Sequence, residues 1–244
     1  MRIDVYLAES KILRSRTEAQ QFIFEGAVYV DGKQVMKPSF DVSGLEDKVT
    51  VDKSVRKYVS RGGIKLKGAL TSFGVSPFGR VCLDVGASSG GFTDCLLQEG
   101  ATHVIAVDSG SGQIAECLRR DARVTVIENY NARYMKSEDF SLTPDLAVMD
   151  VSFISATYII PSVYDVLTDS AEFICLIKPQ FEVGRSGIGK GGLVTDAKLR
   201  DAAVKKVVDF AESIGFTTKA VITSPIKGGD GNVEFLAHFI KKSE

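Results

Sequence analysis

Apolar positions in the first 60 or so residues recur first at helical and then at strand spacing. Ile3, Tyr6 and Leu7 mark one short helix. A second stretch from Arg16 to Glu25 carries Ala19, Phe22 and Ile23 on one face, with Gly26 placed to stop it. Val28-Tyr-Val30, the turn Asp31-Gly32-Lys33 and Val35 then read as a hairpin, and Val49-Thr-Val51 as a further strand. Val55 to Val59 has the character of connecting chain. After Gly62 and Gly63 a helical pattern runs from about Ile64 to Phe73, and Gly74 and Pro77 end it.

From Arg80 the pattern changes to strand, loop, helix, repeated. Strands are predicted at Val81–Val85, Val104–Asp108, Val124–Ile127, Leu146–Asp150 and Phe173–Ile177. The intervening helices are Gly90–Glu99, Gln113–Arg120 and Ile154–Leu167, and a long helix Asp196–Ile214 follows. Thr218–Thr223 and Glu234–Ile240 have no helix between them and are expected to pair antiparallel. Such alternation predicts an α/β domain: a Rossmann-like parallel sheet with helices on both faces and an antiparallel last strand. A small α+β domain precedes it. The expected division is 1–58, a linker at 59–63, and 64–244.

Composition narrows the picture. The chain has 244 residues, 44% hydrophobic and 25% charged, enough apolar surface for a sizeable core. A net charge of -1 gives no global basic field, so any nucleic-acid surface must be a local patch. Cys82, Cys95, Cys117 and Cys175 form no C-x-x-C pair, and His103 and His238 are the only histidines, so zinc and disulfide frameworks both fail. No signal peptide opens the chain, and no apolar run approaches the roughly 20 residues of a membrane span. These features point to a cytoplasmic protein with no stable membrane association.

The first strand of the larger domain runs into Asp84-x-Gly86-x-x-x-Gly90-Gly91. Glycines there let backbone approach a ligand, and the following helix offers N–H groups. A nicotinamide site requires a second glycine where Ala87-Ser88 stands, and a carboxylate two residues before the first glycine opposes a pyrophosphate. A cofactor carrying a cationic sulfonium and an α-amino group suits that carboxylate. Asp108, ending the next strand, can accept from ribose hydroxyls, and Asn129 and Asn131 follow the third strand where an adenine would be read. Ser88, Ser89 and Phe92 complete the loop. Gly184-x-x-x-x-Gly189-Lys190-Gly191 imitates a phosphate-binding loop, but Gly191 lacks the hydroxyl that holds Mg²⁺.

Four charged residues fall at element ends: Lys65 on the helix before the first strand, Asp150 after the fourth, Lys178 after the fifth and Glu234 opening the last. In open α/β sheets ligands bind beyond the carboxyl ends of the strands. Asp150 and Lys178 share that rim with the glycine loop, and an antiparallel last strand brings Glu234 there by its starting end.

These residues resemble established families. Asp84 to Gly91 with Asp108 is similar to the class I methyltransferase pattern, which implies S-adenosylmethionine as cofactor. Lys65, Asp150, Lys178 and Glu234, in that order, resemble the Lys-Asp-Lys-Glu tetrad of FtsJ-type ribose 2′-O-methyltransferases. The runs Ser60–Leu66, Asp84–Asp94, Met149–Phe153 and Ile177–Glu182 resemble the TlyA family of rRNA cytidine-2′-O-methyltransferases, historically labelled hemolysins. That resemblance implies ribosomal RNA or assembled ribosomal subunits as partner. A ribose 2′-hydroxyl is a poor nucleophile until its proton is removed, and a lysine can take it where its surroundings favour the neutral amine. Lys178 is the candidate base, Lys65 the group that holds the 2′-oxygen, and Asp150 and Glu234 their orienting partners.

Arg2-Ile-Asp4-x-x-Leu7, Ser15-Arg16-x-x-Ala19 and Ile23-x-x-Gly26-x-Val28-x-Val30-x-Gly32 are similar to the S4-type RNA-binding domain. Arg2, Lys11, Arg14, Ser15 and Arg16 gather near the start of the second helix, where they can meet phosphates. Base N-methylation and C5-methylation are disfavoured: the fourth strand ends Met149-Asp150-Val-Ser-Phe153 without an Asn-Pro-Pro-Tyr run, and no cysteine stands at the rim. A pore-forming hemolysin, the alternative reading, needs membrane-inserting segments that the pattern does not offer.

Overall fold

The computed structural model describes residues 1–24, 26–52, 57–228 and 231–243. Glu25, Val55 and Arg56, part of the expected second helix and connecting stretch, lie outside the described residues. The chain divides into two compact units, Met1–Arg61 and Gly62–Glu244.

The first unit packs two helices, α1 (Ile3–Glu9) and α2 (Arg16–Phe24), with a three-stranded antiparallel sheet of order β2-β1-β3. Its strands are β1 (Val28–Val30), β2 (Lys33–Gln34) and β3 (Val49–Val51). The hairpin forms where the Asp-Gly pair predicts it: Asp31 and Gly32 both take positive φ, 51° and 74°, the geometry a two-residue turn needs to match strand twist. The helical faces read from the sequence close on the sheet, burying Ile3, Leu7, Ala19, Phe22, Ile23, Val28 and Val30 in one core.

The second unit opens with α3 (Gly62–Phe73), which starts two residues before the apolar pattern because Gly62 and Gly63 enter the first turn. It then builds a seven-stranded sheet of order β6-β5-β4-β7-β8-β10-β9. The strands are β4 (Val81–Val85), β5 (His103–Val107), β6 (Val124–Ile127), β7 (Leu146–Met149), β8 (Glu172–Ile177), β9 (Phe216–Thr223) and β10 (Phe235–Lys241). The five strands β4 to β8 pair parallel, and β10 runs antiparallel between β8 and β9. Their central positions are apolar on both faces, as helices covering both sides demand.

Those helices are α4 (Gly91–Gln98), α5 (Glu116–Arg119), α6 (Ile160–Val166), α7 (Pro179–Glu182) and α8 (Ala197–Ile214). Asp196 caps α8, its Oδ1 accepting from Lys198 N at 2.8 Å. Two predicted helices are shorter than expected. The Gln113–Arg120 pattern yields only α5, because residues 108–115 are drawn into loop bonds such as Ala115 N to Ser89 O. The Ile154–Leu167 pattern breaks into a 3₁₀ turn, 156–158, and then α6, with Pro161 in its first turn where its missing N–H costs nothing.

Candidate active site

Strand β4 delivers its loop to the carboxyl end of the sheet, between β5 and β7. Gly86 takes φ 84°, and a Cβ there would stand 2.5 Å from the Asp150 carbonyl oxygen. Only glycine lets the loops after β4 and β7 lie this close. Gly90, also left-handed, then caps the start of α4.

A cavity of about 670 Å³ opens along the carboxyl ends of β4, β5, β6 and β7, a volume fit for a small-molecule cofactor. Of the residues expected to hold one, Gly86, Ser88, Asp108, Asn129 and Asn131 line it. Asp108 receives two backbone N–H bonds, from Ser88 and Gly110, each at 2.7 Å. One lone pair on each carboxylate oxygen remains for a ribose diol. Asn129 sits at φ 54° and donates its N–H to Gly110, while Tyr130 N–H reaches the Asp108 carbonyl, so the loops after β5 and β6 are zipped into one wall. Asn131 is turned partly to structure, its Oδ1 capping a 3₁₀ turn through Arg133 N at 3.1 Å.

The other expected cofactor residues stand behind this wall. Ser89 braces α5 through its carbonyl, Gly90 leaves space that Leu118 fills, Gly91 begins α4, and Phe92 is buried. Asp84 is a correction of place: inside β4 it is wholly buried, with one oxygen accepting from Thr93 Oγ1 at 2.6 Å and the other, Oδ1, without a hydrogen-bond partner. Burial pushes its carboxyl up, Thr93 pulls it back, and the Asp150 charge adds to the rise, leaving it at about 7. This orphaned carboxylate oxygen lies two residues before Gly86, which lines the cavity, and its charge suits a cofactor with a cationic end nearby.

The four tetrad residues form two ion pairs. Lys65 Nζ meets Glu234 Oε2 at 2.6 Å, both side chains buried. Lys178 Nζ meets Asp150 Oδ1 at 2.5 Å as a charge contact and donates to Ser152 Oγ at 2.8 Å. The topology explains the convergence. Asp150 follows β7, Lys178 follows β8, and the pairing of Phe235 with Ile177 sets Glu234 beside Lys178. Lys65 arrives from α3, which approaches closely because a Cβ at Gly68 would stand 2.8 Å from Pro225. Asp150 also lines the cavity, so the Lys178 pair borders it directly.

Three features escape a reading of element ends. Phe153, at φ 64° and 91% exposed, juts from the cavity rim, its ring 5.3 Å from that of Phe181. Glu182 is buried and anchors the segment after β7, accepting from Ser155 Oγ at 2.5 Å, Ala156 N at 2.7 Å and Lys206 Nζ at 3.0 Å. Arg133 lines the cavity between two tyrosines. Positive φ is unreadable from a Phe, and the partners of Glu182 are 24 to 27 residues away.

In the first unit the arginines expected to face RNA are exposed and organised. Arg2 and Arg16, each about half exposed, both bond the buried Asp4, at 3.0 and 2.8 Å, and Gln20 adds a third donor at 2.8 Å. Lys11 and Arg14 are also exposed. Ser15 is occupied differently: its Oγ accepts from Glu18 N at 3.2 Å as a helix cap, and Arg14 N returns the bond to Glu18 Oε2.

The FtsJ-like methyltransferase family pattern matches residues 58–241, and the S4 domain pattern matches residues 1–49. The chain belongs to the FtsJ-like methyltransferase family. It is 43% identical to the 16S/23S rRNA (cytidine-2′-O)-methyltransferase TlyA of Mycobacterium tuberculosis, covering 96% of this chain and 87% of that protein. It is 42% identical to Hemolysin A of Brachyspira hyodysenteriae, covering 98% of this chain and 100% of that one. A solved structure described as a hemolysin from Streptococcus thermophilus is 39% identical, with a TM-score of 0.79, covering 100% of this chain and 89% of that one. A methyltransferase sheet with an S4 domain ahead of it is therefore the architecture of this chain.

Proposed function

We propose that this FtsJ-like methyltransferase transfers a methyl group from S-adenosylmethionine to the 2′-hydroxyl of cytidine in ribosomal RNA, working on ribosomal subunits in the cytoplasm. The observation that carries the reading is the two lysine–carboxylate contacts, one of them through Asp150 on the lining of a cavity of cofactor size. The activity for which the M. tuberculosis relative is named supplies the substrate class.

S-adenosylmethionine supplies an electrophilic methyl group already activated by its sulfonium charge. Asp108 offers acceptors for its ribose, Asn129 and Asn131 polar edges for its base, and the loop from Gly86 to Ser88 the backbone beside its amino-acid end. Lys178, held against the cavity-lining Asp150, first gives its own proton to solvent, then as the neutral amine takes the proton from the 2′-hydroxyl, and Asp150 stabilises the ammonium that results. Lys65, fixed by Glu234, faces the charge that develops on the oxygen. Each lysine forms its ion pair with one of the two carboxylates. Phe153 offers an exposed ring on which a nucleobase swung out of its stack can rest.

The hemolysin names of two relatives suggest a membrane-active protein. Among the described residues no helix is long and apolar enough to cross a membrane. The methyltransferase reading also accounts for the tetrad, which lysis does not. Mapping ribose methylation across ribosomal RNA from cells with and without this protein tests the proposal. A 2′-O-methylcytidine present only with the protein is the expected result, and identical maps would refute it.

A further inference from the structure

Two 3₁₀ turns on the rim of the cavity present a cluster that the methyl-transfer chemistry does not use. Residues 132–134 follow β6, and residues 156–158 precede α6. The Arg133 guanidinium lies 4.8 Å from the centre of the Tyr158 ring and 5.9 Å from that of Tyr134. The two rings are 59% and 68% exposed, and Arg133 is exposed as well. Among the described residues Arg133 forms no ion pair with a carboxylate, in a chain where most other arginines do.

The supports of this cluster are fixed. Asn131 caps the first turn, and Ser162 Oγ on α6 holds the Ala132 carbonyl at 2.6 Å. Ser155 caps the second turn, and Glu182 holds Ala156 N. Exposed aromatic rings on rigid backbone, with an uncompensated guanidinium between them, are costly to leave idle and suited to bases and phosphates. The cluster shares the cavity rim with Phe153 and Asp150, since Arg133 lines the same cavity as they do. A strand delivering a ribose to Lys178 has to cross this rim.

We propose that Arg133, Tyr134 and Tyr158 form a platform for single-stranded RNA flanking the methylated nucleotide, the tyrosines stacking on bases and Arg133 meeting a phosphate. The proposal rests on the RNA methyltransferase reading above. It places recognition of neighbouring nucleotides on the methyltransferase unit itself, in addition to whatever the first unit contacts.

The test uses the full-length protein, S-adenosylmethionine and ribosomal subunits from cells lacking this protein. Failure of the wild type to methylate any subunit would refute the function rather than the platform. With an active wild type, the Tyr134→Ala/Tyr158→Ala double variant should raise KM for subunits about tenfold or more, as expected for lost base stacking, with kcat and cofactor affinity by calorimetry unchanged. The Tyr134→Phe/Tyr158→Phe variant keeps both rings and should restore KM. Arg133→Ala should also raise KM and flatten its salt dependence. The melting temperature of each variant shows that the exposed substitutions spare the fold. Unchanged KM in the double alanine variant would overturn the proposal. So would weakened cofactor binding with KM for subunits unmoved, which would make the cluster a cover for the cofactor. Crosslinks from Tyr158 to a ribosomal protein instead of RNA would overturn it as well.

Discussion

Asp4 and Asp84 are both wholly buried, one in each unit, and they are treated in opposite ways. Burial pushes the Asp4 carboxyl up, but bonds from Arg2, Gln20 and Arg16 and the Arg16 charge outweigh it and hold it at about 2. Asp84 has only Thr93 to hold it and one orphaned oxygen, so burial prevails and it sits at about 7. A satisfied carboxylate is a fixture, and here it holds two arginines at the surface of an S4 unit. An unsatisfied one, two residues before a cavity-lining glycine, leaves a charge that a cation nearby can offset.

The comparison breaks most sharply at Asp4. Asp4→Ala leaves Arg2 and Arg16 without an anchor and should destabilise the first unit by about 3 kcal/mol, measured by chemical denaturation. The contribution of Asp4 is present above the ordinary carboxyl range and is lost as pH falls from about 4 towards 2, so the variant should also lack that acid limb. A variant as stable as the wild type at pH 7 would show that the arginines need no anchor.

Thr93→Val removes the side-chain donor to Asp84 and should cost about 1–3 kcal/mol at pH 8, where the carboxyl is charged. The effect should shrink below pH 5, where a protonated Asp84 no longer needs it. Asp84→Asn tests the sign directly. Because the folded carboxyl is raised, stability is present below the ordinary carboxyl value and lost as pH rises towards about 7. The variant should flatten that slope in a melting series from pH 4 to 8, and an unchanged slope would contradict the assignment. Glu182→Gln, the smallest of these changes, keeps the bonds to Ser155 and Ala156 within reach and loses the charge facing Lys206. It should lower kcat severalfold through the segment carrying Asp150 while leaving cofactor affinity intact.

The same two aspartates show what the sequence made legible. Asp84 was found because it ends a strand before a glycine loop, but its burial and its orphaned oxygen depend on Thr93 and Asp150 across the fold. Asp4 was visible within a motif, yet its grip on Arg16 and Gln20 joins residues 12 and 16 positions apart. Asp150, Lys178 and Glu234 are legible because strand ends follow from periodicity and the sheet gathers them at one rim, whereas Lys65, inside α3, is legible only through the family resemblance. The short helices and the exposed rings of Phe153, Tyr134 and Tyr158 were not, since loop hydrogen bonds and left-handed backbone override local propensity there.

We propose that the two lysine–carboxylate pairs carry out ribose methylation. Full-length Lys178→Ala, assayed on ribosomal subunits by mass spectrometry of 2′-O-methylcytidine with cofactor binding measured alongside, tests it most directly. No detectable product is expected, with cofactor affinity close to wild type. Product formed at the wild-type rate would contradict it.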